Sequence, residues 1–283
     1  ENLINSTLYT TLEPCSNYGK TPPCVKAIIK KKIGKVFFSI KDPDLRSFNK
    51  SKSRLQKANI STKSNILSRK IGDFYRSYLK SKKKSLPFVT GKIAVSKDFF
   101  TINKENRWIT NDFSRSRVHL MRSKHDCVLT SASTINKDNS MLNCRINGLD
   151  KKSPTRIILD KNLKISKISR LVKTSKKYKK IIFFNNVDKK KILYLEKNKV
   201  KLIKYPLIAD GNFDLKAVLM KIKKLGYSRI FLESGLNLTS NFLKKNLIDD
   251  FKLFISCKKI KKNGANNFKK NMKYLQKKEN LLD

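Results

Sequence analysis

Strand-sized apolar runs alternate with helical spacings along the chain, and this alternation is what most restricts its fold. The runs include "KVFFSI" (35–40), "FVTGKIAVS" (88–96), "CVLTSA" (127–132), "TRIILD" (155–160), "KKIIFFNN" (179–186), "VKLIKYP" (200–206), "SRIFLE" (228–233) and "DFKLFIS" (250–256). Between them lie segments with helical spacing at 25–31, 112–124, 214–226 and 238–246, the third closed by Gly226. Strand, helix, strand in repeated order predicts a mostly parallel α/β sheet. The stretch 54–78 reads as mostly helical, with a short strand near "ANIST". The charged run "LKSKKKSLP" (79–87) reads as a boundary. It divides the chain into a first domain at 1–81, a linker at 82–87 and a second domain at 88–283. A length of 283 residues fits two domains.

No apolar run reaches the length of a membrane span, and no signal-like segment follows Glu1. The five cysteines, Cys15, Cys24, Cys127, Cys144 and Cys257, are odd in number and scattered, which argues against a disulfide framework and for a reducing, cytoplasmic setting. A net charge of +45 suggests a polyanion partner at first sight. The balance of 54 Lys to 12 Arg speaks against it. Arg is the residue suited to forked phosphate contacts, and Lys is spread over nearly every segment beside abundant Asn and Ile. That is a bias of composition, not a binding patch, and no aromatic-basic RNA signature accompanies it.

The stretch "TLEPCSNYGKTPPC" (11–24) carries the most chemistry. Cys15 follows Pro14, Cys24 follows Pro22-Pro23, and the Gly and Pro residues between make a shaped loop. A loop can present two thiols on one side of a metal, half of a zinc site; a zinc centre that activates water needs a third protein ligand and an open position. This loop, followed by "KVFFSIKDPD", resembles the deaminase domain of the bifunctional riboflavin-biosynthesis deaminase/reductase. The resemblance implies a cytidine-deaminase-like domain with Cys15 and Cys24 as zinc ligands. In the family a His two residues before the catalytic Glu completes the site. The only histidines here, His119 and His125, lie in the second domain, and Glu1 reads as the connection after the catalytic helix. The expectation is therefore a chain cut at its N-terminus, with the catalytic Glu and third ligand before residue 1.

"PFVTGKIAVSKD" (87–98), "RWIT" (107–110), "RSRVHLMRSKHDCVLTSASTINKDNSMLNCR" (115–145), "TRIILD" and "RIFLESGLNLTSNFLKKNLIDDFKLFIS" (229–256) are similar to the reductase domain of the same family, in the same order. The resemblance implies a dihydrofolate-reductase-like fold that uses NADPH to open the ribose of a phosphoribosylaminopyrimidine by hydride delivery to C1′, in a homodimer formed through the reductase domain. It places Ala94, Trp108, Thr134 and Asp138 at the coenzyme, with Lys161 near its 2′-phosphate. It places Asn106, Arg122, Leu142, Arg145 and Glu233 at the substrate. Ser234 and Gly235 would open a helix whose N–H groups meet a coenzyme phosphate. Arg122 and Arg145 suit the substrate phosphate by their forked donors. The chain departs from the family at Lys97-Asp98-Phe99, where Phe99 replaces a turn Gly, in a segment before Trp108 that is shorter by about two residues, and at Lys161, where a small hydroxyl residue is common. The resemblance also leads to the expectation that the C-terminus, "KKNMKYLQKKENLLD", stops before the family's last strands. Two other readings stay open: a reductase with a deaminase remnant as scaffold, and a basic zinc deaminase acting on nucleic acid.

Overall fold

The computed structural model describes residues 3–44, 46, 50–83, 86–106, 108–185 and 188–275. Glu1, Arg107, Asn186, the junction residues 84–85 and the tail 276–283, on which parts of the readings above fall, lie outside the described residues. The chain forms two compact units, Glu1–Ser85 and Leu86–Asp283.

The first unit holds a parallel sheet in the order β1 (Thr7–Leu12), β2 (Lys35–Ile40), β3 (Ser61–Lys63). A helix over Cys24–Lys30 connects β1 to β2, and a helix over Lys50–Lys57 leads to β3. Val25, Ile28, Val36, Leu55 and Ile60 form its core. Two more helices follow, Ser68–Phe74 and Arg76–Lys83. The second of these occupies much of the charged run read as a linker. Its lysines do not prevent a helix, because Lys is a good helix former and none of them is buried.

The second unit is built on seven strands, all paired in parallel. They are β4 (Phe88–Val95), β6 (Cys127–Ser131), β7 (Thr155–Leu159), β8 (Lys180–Phe184), β9 (Lys201–Lys204), β10 (Arg229–Glu233) and β11 (Asp250–Ile255). Their spatial order is β11-β4-β10-β6-β7-β8-β9. Alternate residues of each central strand feed opposite cores. Leu129, Ile157, Phe183 and Leu232 face one, with the helix Leu215–Lys224. Val128, Ile158, Ile182 and Phe231 face the other, with Val118 and Ile135. A strand covered on both faces needs no polar side, which is why these runs read as continuously apolar. Gly91 is needed where β4 lies beside β11, opposite its register partner Phe251: a Cβ there would lie 2.8 Å from the Phe251 ring. A small antiparallel pair, β5 (Phe100–Asn103) with β12 (Gly264–Asn267), stands apart from the main sheet. Phe99 takes the left-handed conformation, φ 67°, at the position where the resemblance implies a turn glycine. No described helix is long and apolar enough to cross a membrane.

Candidate functional site

In open parallel sheets, ligands bind beyond the carboxyl ends of the strands, where the strand order reverses. Here β10 is inserted between β4 and β6, so the carboxyl ends of β4, β6 and β10 lie side by side.

Glu233 ends β10 and meets Arg122, from the last turn of the helix Asp112–Ser123. Asn111 starts that helix by accepting the Ser114 N–H at 2.9 Å. Arg122 Nε donates to Glu233 Oε2 and Nη2 to Oε1, both at 2.8 Å. Nη1 donates to the Asn143 carbonyl at 3.0 Å, and His119 Nδ1 lies 2.9 Å from the same oxygen. All three arms of the guanidinium are therefore engaged within the protein, and its fork holds a carboxylate where the sequence reading gave it a phosphate. Burial works to raise the Glu233 carboxyl, but the Arg122 guanidinium, aided by Lys92 and His119, outweighs it and holds the group below its ordinary range. Arg145 remains exposed, touching Asn143 Oδ1 at 3.3 Å. Leu142, two residues before the carbonyl-bearing turn closes on Cys144, is buried with a positive φ of 50°.

Lys92 is the site residue that the sequence reading missed. It lies on β4 between buried Gly91 and Ile93, with its Nζ 5.7 Å from the centre of the Phe254 ring. Burial lowers its pKa, and the charges that act on it are Glu233, Arg122 and Asp138. A lysine inside an otherwise apolar buried strand was the available signal. Ala94, two positions on, shares its face of β4 and pairs with Phe254 of β11.

Hydroxyl groups gather at the ends of β6 and β10. Ser131 Oγ lies 3.0 Å from Thr134 Oγ1, which lies 3.2 Å from Ser234 Oγ and accepts the Gly235 N–H at 3.0 Å. Gly235 caps the helix Leu236–Lys244 without a side-chain cap, so that helix presents its first N–H groups beside the cluster. Asp138 ends the neighbouring helix Ala132–Asp138. Asn106 and Trp108 line a separate cavity of about 470 Å³ with Ser96, Glu105, Ser256 and Lys258, beyond the ends of β4 and β11. Trp108 is exposed, with the Arg115 guanidinium stacked 4.7 Å from its ring centre. Lys161 does not join this group: its Nζ donates to the Gly211 carbonyl at 2.7 Å and to Asn212 Oδ1 at 3.2 Å. It ties the end of β7 to a neighbouring turn.

In the first unit the Cys24 N–H donates to Cys15 Sγ at 3.3 Å, so the loop does bring the two thiols together. Two soft ligands fit half of a zinc centre. Among the described residues, no cluster of three or more His, Cys, Asp or Glu side chains is placed to hold a metal. The described residues thus supply two of the three protein ligands that a water-activating zinc site needs.

Residues 87–262, most of the second unit, match the family model described as the RibD C-terminal domain. The chain belongs to the RibD family. The riboflavin biosynthesis protein RibD of Aquifex aeolicus is 31% identical over 263 residues, covering 91% of this chain and 71% of that protein. RibD of Bacillus amyloliquefaciens is 30% identical over 251 residues, covering 88% and 67%. Among solved structures, Acinetobacter baumannii RibD superposes with a TM-score of 0.79 at 25% identity, over 92% of this chain and 71% of that one. A diaminohydroxyphosphoribosylaminopyrimidine deaminase/5-amino-6-(5-phosphoribosylamino)uracil reductase from Thermotoga maritima gives 0.78 at 27% identity, over 93% and 70%. The yeast riboflavin biosynthesis reductase Rib7, at 20% identity and a TM-score of 0.54, shares the fold.

Proposed function

We propose that the second unit, folded as in dihydrofolate reductase, is the reductase of riboflavin synthesis, using NADPH to reduce a phosphoribosylaminopyrimidine to its ribityl product. The observation that carries this reading is the constellation of Lys92, Glu233 and Arg122 with the Ser131–Thr134–Ser234 hydroxyls at adjoining strand ends. The family membership supports it.

When bound, NADPH supplies the hydride that adds to C1′ of the sugar. The hydroxyl cluster and the opening N–H groups of Leu236–Lys244 suit a coenzyme phosphate, since helix starts favour anions. As the C1′–O4′ bond breaks, its electron pair goes to O4′, which needs a proton. Glu233 is held ionised by Arg122 and is a poor donor. Lys92, whose pKa burial lowers, is the better-placed acid when it carries its proton. Glu233 then serves to hold Lys92 charged and to orient the sugar hydroxyls. Arg145, the guanidinium left accessible, receives the 5′-phosphate.

We read the first unit as part of a cytidine-deaminase-like domain, supported by its strand, thiol loop, helix, strand order. The test of the reductase reading is single-turnover loss of NADPH absorbance with the phosphorylated pyrimidine. Lys92→Met should slow that step by about a hundred-fold or more while NADPH still binds. Full activity in the variant would remove Lys92 from the chemistry and leave the reading without its proton donor.

A further inference from the structure

The segments that leave the carboxyl ends of β4 and β11 are tied together by one carboxylate. Asp98 Oδ1 accepts the Ser96 hydroxyl at 2.6 Å and the Ile260 N–H at 3.0 Å, and Oδ2 accepts the Lys261 N–H at 2.8 Å. Main-chain bonds flank this clamp: the Lys97 N–H donates to the Lys258 carbonyl at 2.9 Å and the Ser256 N–H to the Val95 carbonyl at 2.8 Å. Lys261 has a positive φ of 53°, an uncommon conformation for a residue with a Cβ, which persists where the surroundings hold it. The Ser96 hydroxyl, ahead of the two backbone N–H groups, holds the Asp98 carboxyl down at about 2, so the clamp is ionised at any working pH. Three donors meet it, and a carboxylate has acceptor positions for all three where a single amide oxygen has two. What the clamp holds is a wall of the cavity of about 470 Å³: Ser96 lines it from one segment, Lys258, Lys259 and Ile260 from the other, and Asp98 itself stays outside the lining.

The strand order says which ligand the cavity serves. β11, β4, β10 and β6 lie in that sequence across the sheet. The cavity opens beyond β4 and β11, Lys92 and Glu233 stand on β4 and β10, and the hydroxyl cluster suited to a coenzyme phosphate lies at β10 and β6. Ser96 falls by alternation on the face of β4 that carries Lys92 and Ala94. Lys92 and Glu233 therefore have the coenzyme side to one hand and the cavity to the other. The serine, asparagine and lysine side chains of the lining supply the donors and acceptors that a pyrimidine ring with amide and amino groups requires. We propose, resting on the reductase reading above, that Asp98 is a positioning residue for the pyrimidine substrate: it fixes residues 258–260 against the end of β4 and so keeps the cavity shaped for the base.

The experiment compares Asp98→Ala with Asp126→Ala in the whole chain. Asp126 is the control, because its Oδ2 also accepts two neighbouring N–H groups, those of Ser228 and Arg229, both at 2.8 Å, at the other end of the sheet. In steady-state NADPH oxidation, Asp98→Ala should raise KM for the phosphorylated pyrimidine about ten-fold, the scale of one charge-assisted hydrogen bond, with kcat and the dissociation constant for NADPH nearly unchanged. Asp98→Asn should fall between that variant and the parent. Asp126→Ala should lower the melting temperature without moving this KM. Trp108, the chain's single Trp and part of the cavity lining, reports binding without turnover: its fluorescence, titrated with the pyrimidine alone, should show the same loss of affinity in Asp98→Ala. An unchanged KM in Asp98→Ala, or equal shifts in both Ala variants, would overturn the role of Asp98 and leave the reductase reading intact. A parent chain that neither oxidises NADPH nor binds the pyrimidine would refute that reading, and the role of Asp98 with it. Should Asp98→Ala fail to fold, Asp98→Asn set against Asp126→Asn decides by the same KM.

Discussion

Replacing Glu233 by Gln tests the ion pair at the centre of the candidate site. The change keeps the shape and one acceptor oxygen but removes the charge that balances Arg122. The two side chains are 10% and 15% exposed, so the pair is largely out of water. Breaking a buried pair by neutralising one partner costs about 3–5 kcal/mol, and the residual exposure and retained oxygen favour the lower end, about 3 kcal/mol. For a unit of this size that is a fall in Tm of about 6–10 °C. The pH dependence gives the sharper check. The folded-state pKa of Glu233 lies below its ordinary value of 4.5. Its contribution is therefore complete above that value and is lost as the pH falls through the folded pKa. Urea unfolding should show the full difference between the two proteins near pH 7, shrinking as the pH falls below 4.5. Arg122→Met combined with Glu233→Gln should cost less than the sum of the single changes, because the double variant leaves no unpaired guanidinium. A difference that stays constant across this pH range, or strictly additive single changes, would show that the pair does not act as a buried ion pair.

Other outcomes follow from the same geometry. Arg145→Ala should raise KM for the phosphorylated pyrimidine about ten- to a hundred-fold, with the unphosphorylated compound nearly unaffected; equal losses for both would remove the phosphate contact. Lys161→Ser, which releases Gly211 and Asn212, should weaken NADPH and NADH alike when titrated by fluorescence, whereas a selective loss of NADPH would return the lysine to the 2′-phosphate. Phe99→Gly should change unfolding free energy in urea by only about 1 kcal/mol, because relief of the left-handed φ offsets much of the lost packing; a loss of about 3 kcal/mol or more, usual for a buried Phe, would show that φ strain there is small.

The main sheet was legible because each central strand divides its residues between two cores, leaving an apolar run of recognisable length. The pair β5 and β12 was not. "FTIN" and "GANN" offer almost nothing to bury, and their pairing depends on partners more than 160 positions apart, such as Asn103 and Gly264. The helix Lys189–Lys197 was also missed; its signal was Asp188, whose side chain accepts the Lys191 N–H, ahead of buried Leu195 in a lysine-rich stretch. Residue types at the site were easier to name than their relations. Arg122 and Glu233 were both singled out, yet a sequence cannot tell a guanidinium that waits for phosphate from one satisfied by a carboxylate 111 positions away. Lys92 escaped because it stands inside a strand whose neighbours all argue for burial.

The insertion of β10 also has a consequence for how the molecule comes into being on the ribosome. Strands β4 and β6 leave the exit tunnel roughly a hundred residues before the strand that joins them. Until Arg229–Glu233 is made, each presents an unpaired edge of main-chain donors and acceptors to its surroundings. That strand carries the carboxylate for Arg122, so the nascent chain neutralises the guanidinium in the same event that closes its sheet. A stalled or shortened product ending before residue 229 would therefore expose both edges of β4, one edge of β6 and an unpaired guanidinium at once, and be a natural substrate for chaperones or proteases.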